Sequence, residues 1–208
     1  MRPPLRVALN LNNRAVVRQV GTKFTGKAPD LARALGLALG REVQLVGYPD
    51  AGAVVADVQD GWDLACLGAD PARAHLMQFS TPYYHVRATF LLRSDRPEAD
   101  CAAVLAGDAS ILSAGRAAYH GRLRELAGKG RLIPCDTAQN AVTAFQEGHA
   151  SVLSGLREGL NDLRLTGTRI LPDDFATIPQ AVAIPLHNAA LYAKVEKAIQ
   201  AFLARTKT

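Results

Sequence analysis

Leu31-Ala32-Arg33-Ala34-Leu35-Gly36-Leu37-Ala38-Leu39-Gly40 is followed closely by Val43-Gln44-Leu45-Val46. The first run sets Leu31, Ala34, Leu35, Ala38 and Leu39 at i, i+3, i+4, i+7 and i+8, one apolar face of a helix. Pro29 falls in the first turn, where its missing N–H costs little, and Gly40 supplies the stop. The second run is a short apolar strand. Upstream, Leu5-Arg6-Val7-Ala8-Leu9 reads as another buried strand. Strand, helix and strand in succession predict a parallel sheet covered by helices, an α/β fold.

The rhythm continues along the chain. Ala53 to Val58 reads as a short helix ended by Gly61, and Leu64 to Leu67 as a strand. Asp70-Pro71 opens a helix, with Asp70 as N-cap, Pro71 at the first helical position and Arg73 in the first turn. Phe79-Ser80-Thr81-Pro82 closes it. Arg87 to Leu92 is strand-like, and the polar break Arg93 to Pro97 marks a lobe boundary. Beyond it, Ser110 to Ser113 is a strand, Ala114 to Leu126 a helix, and Arg131 to Pro134 a strand. Asp136 and Gln139 have capping-box spacing for a helix through Phe145. Ser151 to Ser154 and Gln180 to Leu186 are extended, and Leu191 to Leu203 is a final amphipathic helix.

Composition narrows the function. The 208 residues include 49% hydrophobic and 21% charged residues, enough for packed cores and too apolar for disorder. No apolar run approaches the roughly 20 residues of a membrane-spanning helix. The net charge of +5 is spread along the chain without interleaved aromatics, which argues against nucleic-acid binding. The five histidines lack metal-ligand spacing, and neither Gly-x-Ser-x-Gly nor a Walker-type loop occurs, so no metal, cofactor or catalytic residue is assigned. Cys66 reads as a core thiol, while Cys101 and Cys135 are left as either a pair or two free thiols. The chain begins without an apolar leader, which leaves a cytoplasmic protein or one whose leader was removed.

An ordered set of short motifs then carries a resemblance over nearly the whole chain. These are Gly26-Lys27-Ala28-Pro29-Asp30-Leu31, Trp62-Asp63-Leu64-Ala65, Asp70-Pro71-Ala72-Arg73-Ala74, Phe79-Ser80-Thr81-Pro82-Tyr83-Tyr84, Asp136-Thr137 and Ala181-Val182-Ala183-Ile184. Together they resemble the family 3 periplasmic solute-binding proteins of amino-acid ABC transporters. The resemblance implies a two-lobe periplasmic-binding-protein-like fold of type II. Lobe one would hold residues 1–92 and 183–208 and lobe two residues 93–182, with two crossing hinge strands and a ligand cleft between. It further implies a small-molecule carboxylate ligand, an ABC permease as partner, a periplasmic location, a monomeric state and no membrane insertion.

Site residues follow from the same resemblance. Arg73 matches the family arginine that grips the ligand carboxylate, and the planar guanidinium fork suits that task. Asp70 stands where the family has threonine; it is read either as an N-cap or as a partner of a ligand ammonium. Gly68 replaces a hydroxyl residue but keeps its backbone. Gly115 opens a turn that can cradle an anion, beside Arg116, and Thr137 is placed across the cleft. Tyr48 is read as the aromatic cover, and Asn10, Asn12 and Asn13 as polar contacts in the first loop. The usual acidic partner of the ammonium falls on Leu156, with Arg157 next, which favours a carboxylate without an amino group or one whose ammonium meets Asp70. Two alternatives share the scaffold: an enzyme resembling cyclohexadienyl dehydratases, with Asp70 or Glu158 as its acid, and a sensor module without a transport role.

Overall fold

The computed structural model describes residues 3–206. In chain order the first half contains β1 (Leu5–Asn10), β2 (Arg18–Val20), β3 (Lys23–Thr25), α1 (Lys27–Leu39), β4 (Val43–Tyr48), α2 (Ala51–Ala56), β5 (Leu64–Gly68) and β6 (Met77–Phe79). There follow β7 (Tyr84–Arg93), α3 (Cys101–Ala106), β8 (Ile111–Ala114), α4 (His120–Ala127), β9 (Leu132–Cys135) and α5 (Ala138–Gln146). The chain ends with β10 (Val152–Leu156), α6 (Arg157–Leu163), β11 (Thr168–Ile170), β12 (Ala176–Pro185) and α7 (Tyr192–Thr206). It divides into unit one, Met1–His85 with Pro179–Thr208, and unit two, Val86–Ile178.

Unit one is built on the strand order β4-β1-β5-β12. β1 is parallel to both β4 and β5, and β12 runs antiparallel to β5. The helix expected from its apolar stripe forms as α1, closed by Gly40 in the left-handed conformation at φ 62°. Leu31 and Leu35 are fully buried by it, and α7 packs alongside. The Trp62-Asp63 motif is structural. Trp62 is fully buried and donates its indole N–H to the Val54 carbonyl at 2.9 Å, anchoring α2. Asp63 accepts from the Arg6 backbone N–H at 3.0 Å and from Arg41 Nη2 at 3.1 Å, locking the entry of β5 against β1. Ser80 and Thr81 are likewise committed: Ser80 Oγ accepts the Val182 amide at 3.0 Å, and the Thr81 amide donates to Glu196 of α7 at 2.9 Å.

Unit two has the order β7-β10-β8-β9. β8 is parallel to β9 and β10, and β7 is antiparallel to β10. Its core lies on both sheet faces. One cluster gathers Phe90, Val104, Ile111 and Leu123; the other gathers Leu112, Phe145, Leu153 and Leu160. Among the described residues no helix is long and apolar enough to cross a membrane.

Three expectations are corrected and one open alternative is decided. The helix opened by Asp70-Pro71 is a single 3₁₀ turn, Pro71–Arg73, because the chain then enters β6, which pairs with β12 from Ala183 to Pro185. The helix expected from Ala114 starts only at His120: the Gly115 amide donates to the Cys135 carbonyl at 2.8 Å, which holds the chain in register with β9. The cap of α5 is Thr137, whose hydroxyl accepts the Asn140 amide at 3.0 Å, rather than Asp136. Cys101 and Cys135 are free thiols, one buried in α3 and one half-buried on β9. Burial pushes the Cys66 and Cys101 thiols up to about 12. One fast-reacting thiol, Cys135, is therefore expected in native protein titrated with a disulfide reagent, and three after denaturation. More than one fast thiol would contradict the burial of Cys66 and Cys101.

Candidate functional site

In open sheets with parallel strands, ligands bind beyond the carboxyl ends of the strands where the strand order reverses. In unit one the chain passes from β1 through α1 to β4 on one side, then returns through α2 to β5 on the other. The reversal therefore lies between β1 and β5. The loops leaving those strands are Leu11 to Val17 and Ala69 to Leu76.

The second loop carries Arg73, 8% exposed although charged. Its Nη1 donates to the Gly68 carbonyl at 3.4 Å, and its Nε lies 3.5 Å from Asp70 Oδ2. Burial draws the guanidinium below its ordinary value and the Asp70 charge partly restores it; an arginine so placed stays cationic. Asp70 takes both roles open to it within the protein. Its Oδ1 accepts the Ala72 amide at 3.0 Å as N-cap while Oδ2 faces Arg73. The Arg73 amide itself donates to the Asp70 carbonyl at 3.0 Å and so is not open to a ligand.

The first loop holds the asparagines. Asn10 Oδ1 accepts the Asn12 amide at 3.1 Å, an Asx turn. Asn13 is 4% exposed, and its Nδ2 donates to Gln180 Oε1 at 2.8 Å. Gln180 lies opposite Gly68 in the β12–β5 register. A line thus runs from Asn13 through Gln180 and Gly68 to Arg73, all within unit one. Tyr48 pairs with Asn10 in the β1–β4 register, but its phenol donates to Asp57 Oδ2 at 2.6 Å. Burial and that carboxylate push the phenol up to about 12. Burial first and then the neighbouring Cys66 push the Tyr83 phenol well up, whereas burial raises the Cys66 thiol and Tyr83 partly lowers it.

Unit two repeats the topology. β8 leads through α4 to β9, and β9 through α5 to β10, so its reversal lies between β8 and β10. Gly115 and Arg116 follow β8, and Arg116 Nε donates to the Asp136 carbonyl at 3.1 Å, beside Thr137. The Thr137 hydroxyl is engaged by Asn140. Ser113 Oγ sits 2.9 Å from His120 Nδ1, but Ser113 is fully buried, so this pair is no accessible nucleophile. Glu158, in the first turn of α6, has one buried carboxylate oxygen that no described residue reaches.

Residues 5–207 match the sequence profile of the bacterial extracellular solute-binding proteins, family 3. The chain belongs to that family. No curated protein matches it. Among solved structures, an ancestral arginine-binding protein bound to glutamine is similar at a TM-score of 0.79 and 19% identity, over 96% of this chain and 92% of that one. A histidine kinase sensor domain with similarity to periplasmic binding proteins gives 0.81 and 17% over 98% and 91%. The arginine-, lysine-, histidine-binding protein ArtJ of Geobacillus stearothermophilus gives 0.78 and 18% over 98% and 91%. The two-lobe α/β fold of these proteins is the fold of this family 3 chain.

One departure from the family pattern acquires a physical meaning here. Leu156 ends β10, and Arg157 turns into its own unit. Arg157 Nε donates to Asp174 Oδ1 at 2.8 Å, Nη1 to the Leu171 carbonyl at 3.0 Å, and Nη2 to the Pro172 carbonyl at 3.3 Å. It clamps the loop between β11 and β12. Arg157→Ala should remove about 2 kcal/mol of stability, because Asp174 and the Leu171, Pro172 and Asp173 carbonyls lose a largely buried partner. Urea unfolding checks this, and an unchanged midpoint would mean the clamp contributes nothing. One residue escaped the sequence reading: Gln180 lies inside an apolar strand with no local signal, and its pairing with Asn13 spans 167 positions.

Proposed function

We propose that this family 3 protein is a non-catalytic receptor that captures a small carboxylate at Arg73 and delivers it to an ABC permease outside the cytoplasmic membrane. The observation that carries this reading is a buried guanidinium just beyond the carboxyl end of β5, where the strand order of unit one reverses. A charge-assisted hydrogen bond of this kind contributes on the order of 1.5–3 kcal/mol, whereas micromolar affinity needs about 8. Arg73 therefore orients the acid, and other contacts must supply most of the affinity.

Calorimetry of the whole chain against organic acids and amino acids tests the reading. One acid should bind with 1:1 stoichiometry at micromolar or better affinity and be recovered chemically unchanged. Absence of saturable binding to any small carboxylate overturns the capture role, and turnover overturns the non-catalytic one. Because the fold is shared with a kinase sensor domain, delivery to a permease needs its own test. Deleting the gene should abolish uptake of the bound acid; intact uptake would favour sensing.

A further inference from the structure

A sheet edge exposes a row of backbone donors and acceptors, and proteins blunt such edges with proline, charge, shortness or a covering segment. The outer strand of unit two follows that rule. β9 is four residues long. Its Cys135 carbonyl accepts the Gly115 amide at the end of β8, so the neighbouring Pro134 turns outward with no N–H to offer. The outer strand of unit one does not. β4 is six residues long and carries no charged residue from Val43 to Tyr48. The Glu42 and Tyr48 carbonyls accept the Leu5 and Leu11 amides at 2.7 and 2.9 Å, so the alternating backbones of Val43, Leu45 and Gly47 face away from β1. Among the described residues no strand pairs with that edge.

A preformed groove borders it. A cavity of about 770 Å³ lies beside β4, lined by Val43 and Leu45, by residues 22–26 of the β2–β3 ribbon, and by Asp30 and Arg33 of α1. Arg33 braces ribbon to helix: Nη1 donates to Asp30 Oδ1 at 3.0 Å and Nη2 to the Phe24 carbonyl at 2.9 Å. The Phe24 ring lies over Gly47, where an added Cβ would stand 3.1 Å from it. Leu37, 85% exposed, follows Arg33 by one helical turn on the same face of α1. The charge here is one-sided. From Leu11 to Arg33 five cations stand against Asp30 alone, so this stretch carries +4 of the protein's net +5. Lys23 and Arg33 line the groove, and Arg18 lies opposite Thr25 in the ribbon. A second copy would bring the same excess of charge to the same edge, and a lipid surface would offer β4 no backbone partners. We infer that an acidic, extended segment of a partner protein adds to the outer edge of β4 as a further strand, its carboxylates toward Lys23 and Arg33. This surface goes beyond the capture of an acid at Arg73 and does not depend on it.

The probe is a fluorescein-labelled octapeptide of alternating Glu and Val, titrated into the whole chain by fluorescence anisotropy beside its Lys–Val counterpart. Saturable 1:1 binding is expected, about tenfold or more tighter than for the Lys–Val peptide and weakened about tenfold by Lys23→Glu. The Glu–Val peptide should slow hydrogen exchange of the Val43, Leu45 and Gly47 amides about tenfold or more while the amides of β9 stay unchanged. Two N-methylated versions, one blocked at every Glu amide and one at every Val amide, should differ: one loses binding and the other keeps it, because a strand pairs through one edge. That comparison needs no variant to fold. No saturation by about 1 mM peptide, equal binding of the Lys–Val peptide, or an unaltered Lys23→Glu variant overturns the inference. It also falls if the edge amides exchange as fast with peptide as without, or if the two N-methylated peptides behave alike. A dimer in sedimentation with the edge amides protected in the absence of peptide would put a second copy on β4 and overturn it, as would phosphatidylglycerol vesicles that bind where the peptide does not.

Discussion

Arg73→Ala is expected to weaken binding of the preferred acid by about a hundredfold, on the order of 3 kcal/mol, while changing the stability of the ligand-free protein by much less. The two halves of this expectation come from the same burial. A guanidinium 8% exposed has surrendered much of its hydration, and Asp70 at 3.5 Å from Nε returns only part of that. Deleting it from the free protein relieves that desolvation cost but also takes the donor from the Gly68 carbonyl, so the two effects oppose each other, and Asp70 keeps its cap to Ala72. In the complex the balance reverses, because the ligand carboxylate has shed water and has lost the cation that replaced it. Arg73→Lys keeps the charge but not the planar two-donor fork, so a loss of about tenfold is expected. Calorimetry for affinity and thermal unfolding for stability give the two readings separately. An affinity within threefold of the unmodified chain, or a stability loss as large as the binding loss, would show Arg73 to be a structural residue.

Where the sequence was legible, one local signal agreed with the tertiary contacts. α1 carries its apolar stripe, its proline and its terminal glycine within fourteen residues and forms between them, although its buried face runs through Leu31, Ala32, Leu35 and Gly36 while Ala38 is exposed. β5 was legible because a strand buried on both faces is apolar throughout, and β1 because its Val7-Ala8-Leu9 centre is. Where it failed, a distant partner overruled a local signal. Asp70 and Pro71 do start a helical turn, but a cap specifies a beginning and not a length; pairing of Met77 to Phe79 with β12 ends the helix after one turn. Asp136 and Thr137 are adjacent and both able to cap, and only the observed register of the first turn, with the Asn140 amide on Thr137, separates them. Of the site, Arg73 could be read because a surrounding motif pointed to it. Asn10, Asn12, Tyr48 and Thr137 are polar residues whose type could not reveal that neighbours within the same unit hold them. The pairing of Gln180 with Asn13 is a contact no local pattern encodes.

Trp62→Ala should cost the protein about 3–5 kcal/mol, a third or more of the stability of an ordinary domain. Trp62 is fully buried among Ala8, Val54, Val58, Leu67, Met77 and Ala183, small or flexible side chains that cannot close over a hole of indole size. The substitution also strips the Val54 carbonyl of the indole N–H at 2.9 Å, adding about 1 kcal/mol to the cavity term. Trp62→Phe separates the two contributions: it keeps most of the volume, loses the N–H, and should cost about 2 kcal/mol. Urea unfolding with far-ultraviolet circular dichroism measures all three proteins, and the midpoint of the alanine variant should fall by about 1 M or more. The single tryptophan gives an internal check, since its burial requires a blue-shifted native emission that moves red on unfolding. The effect also reaches the site, because β1 and β5 flank this cluster through Ala8, Ala65 and Leu67. The same strands carry Asn13 and Arg73 at their carboxyl ends, so the alanine variant should bind acids more weakly although Trp62 touches none of them. Native-like affinity together with native-like stability in Trp62→Ala would mean that the cluster does not hold those strand ends in place.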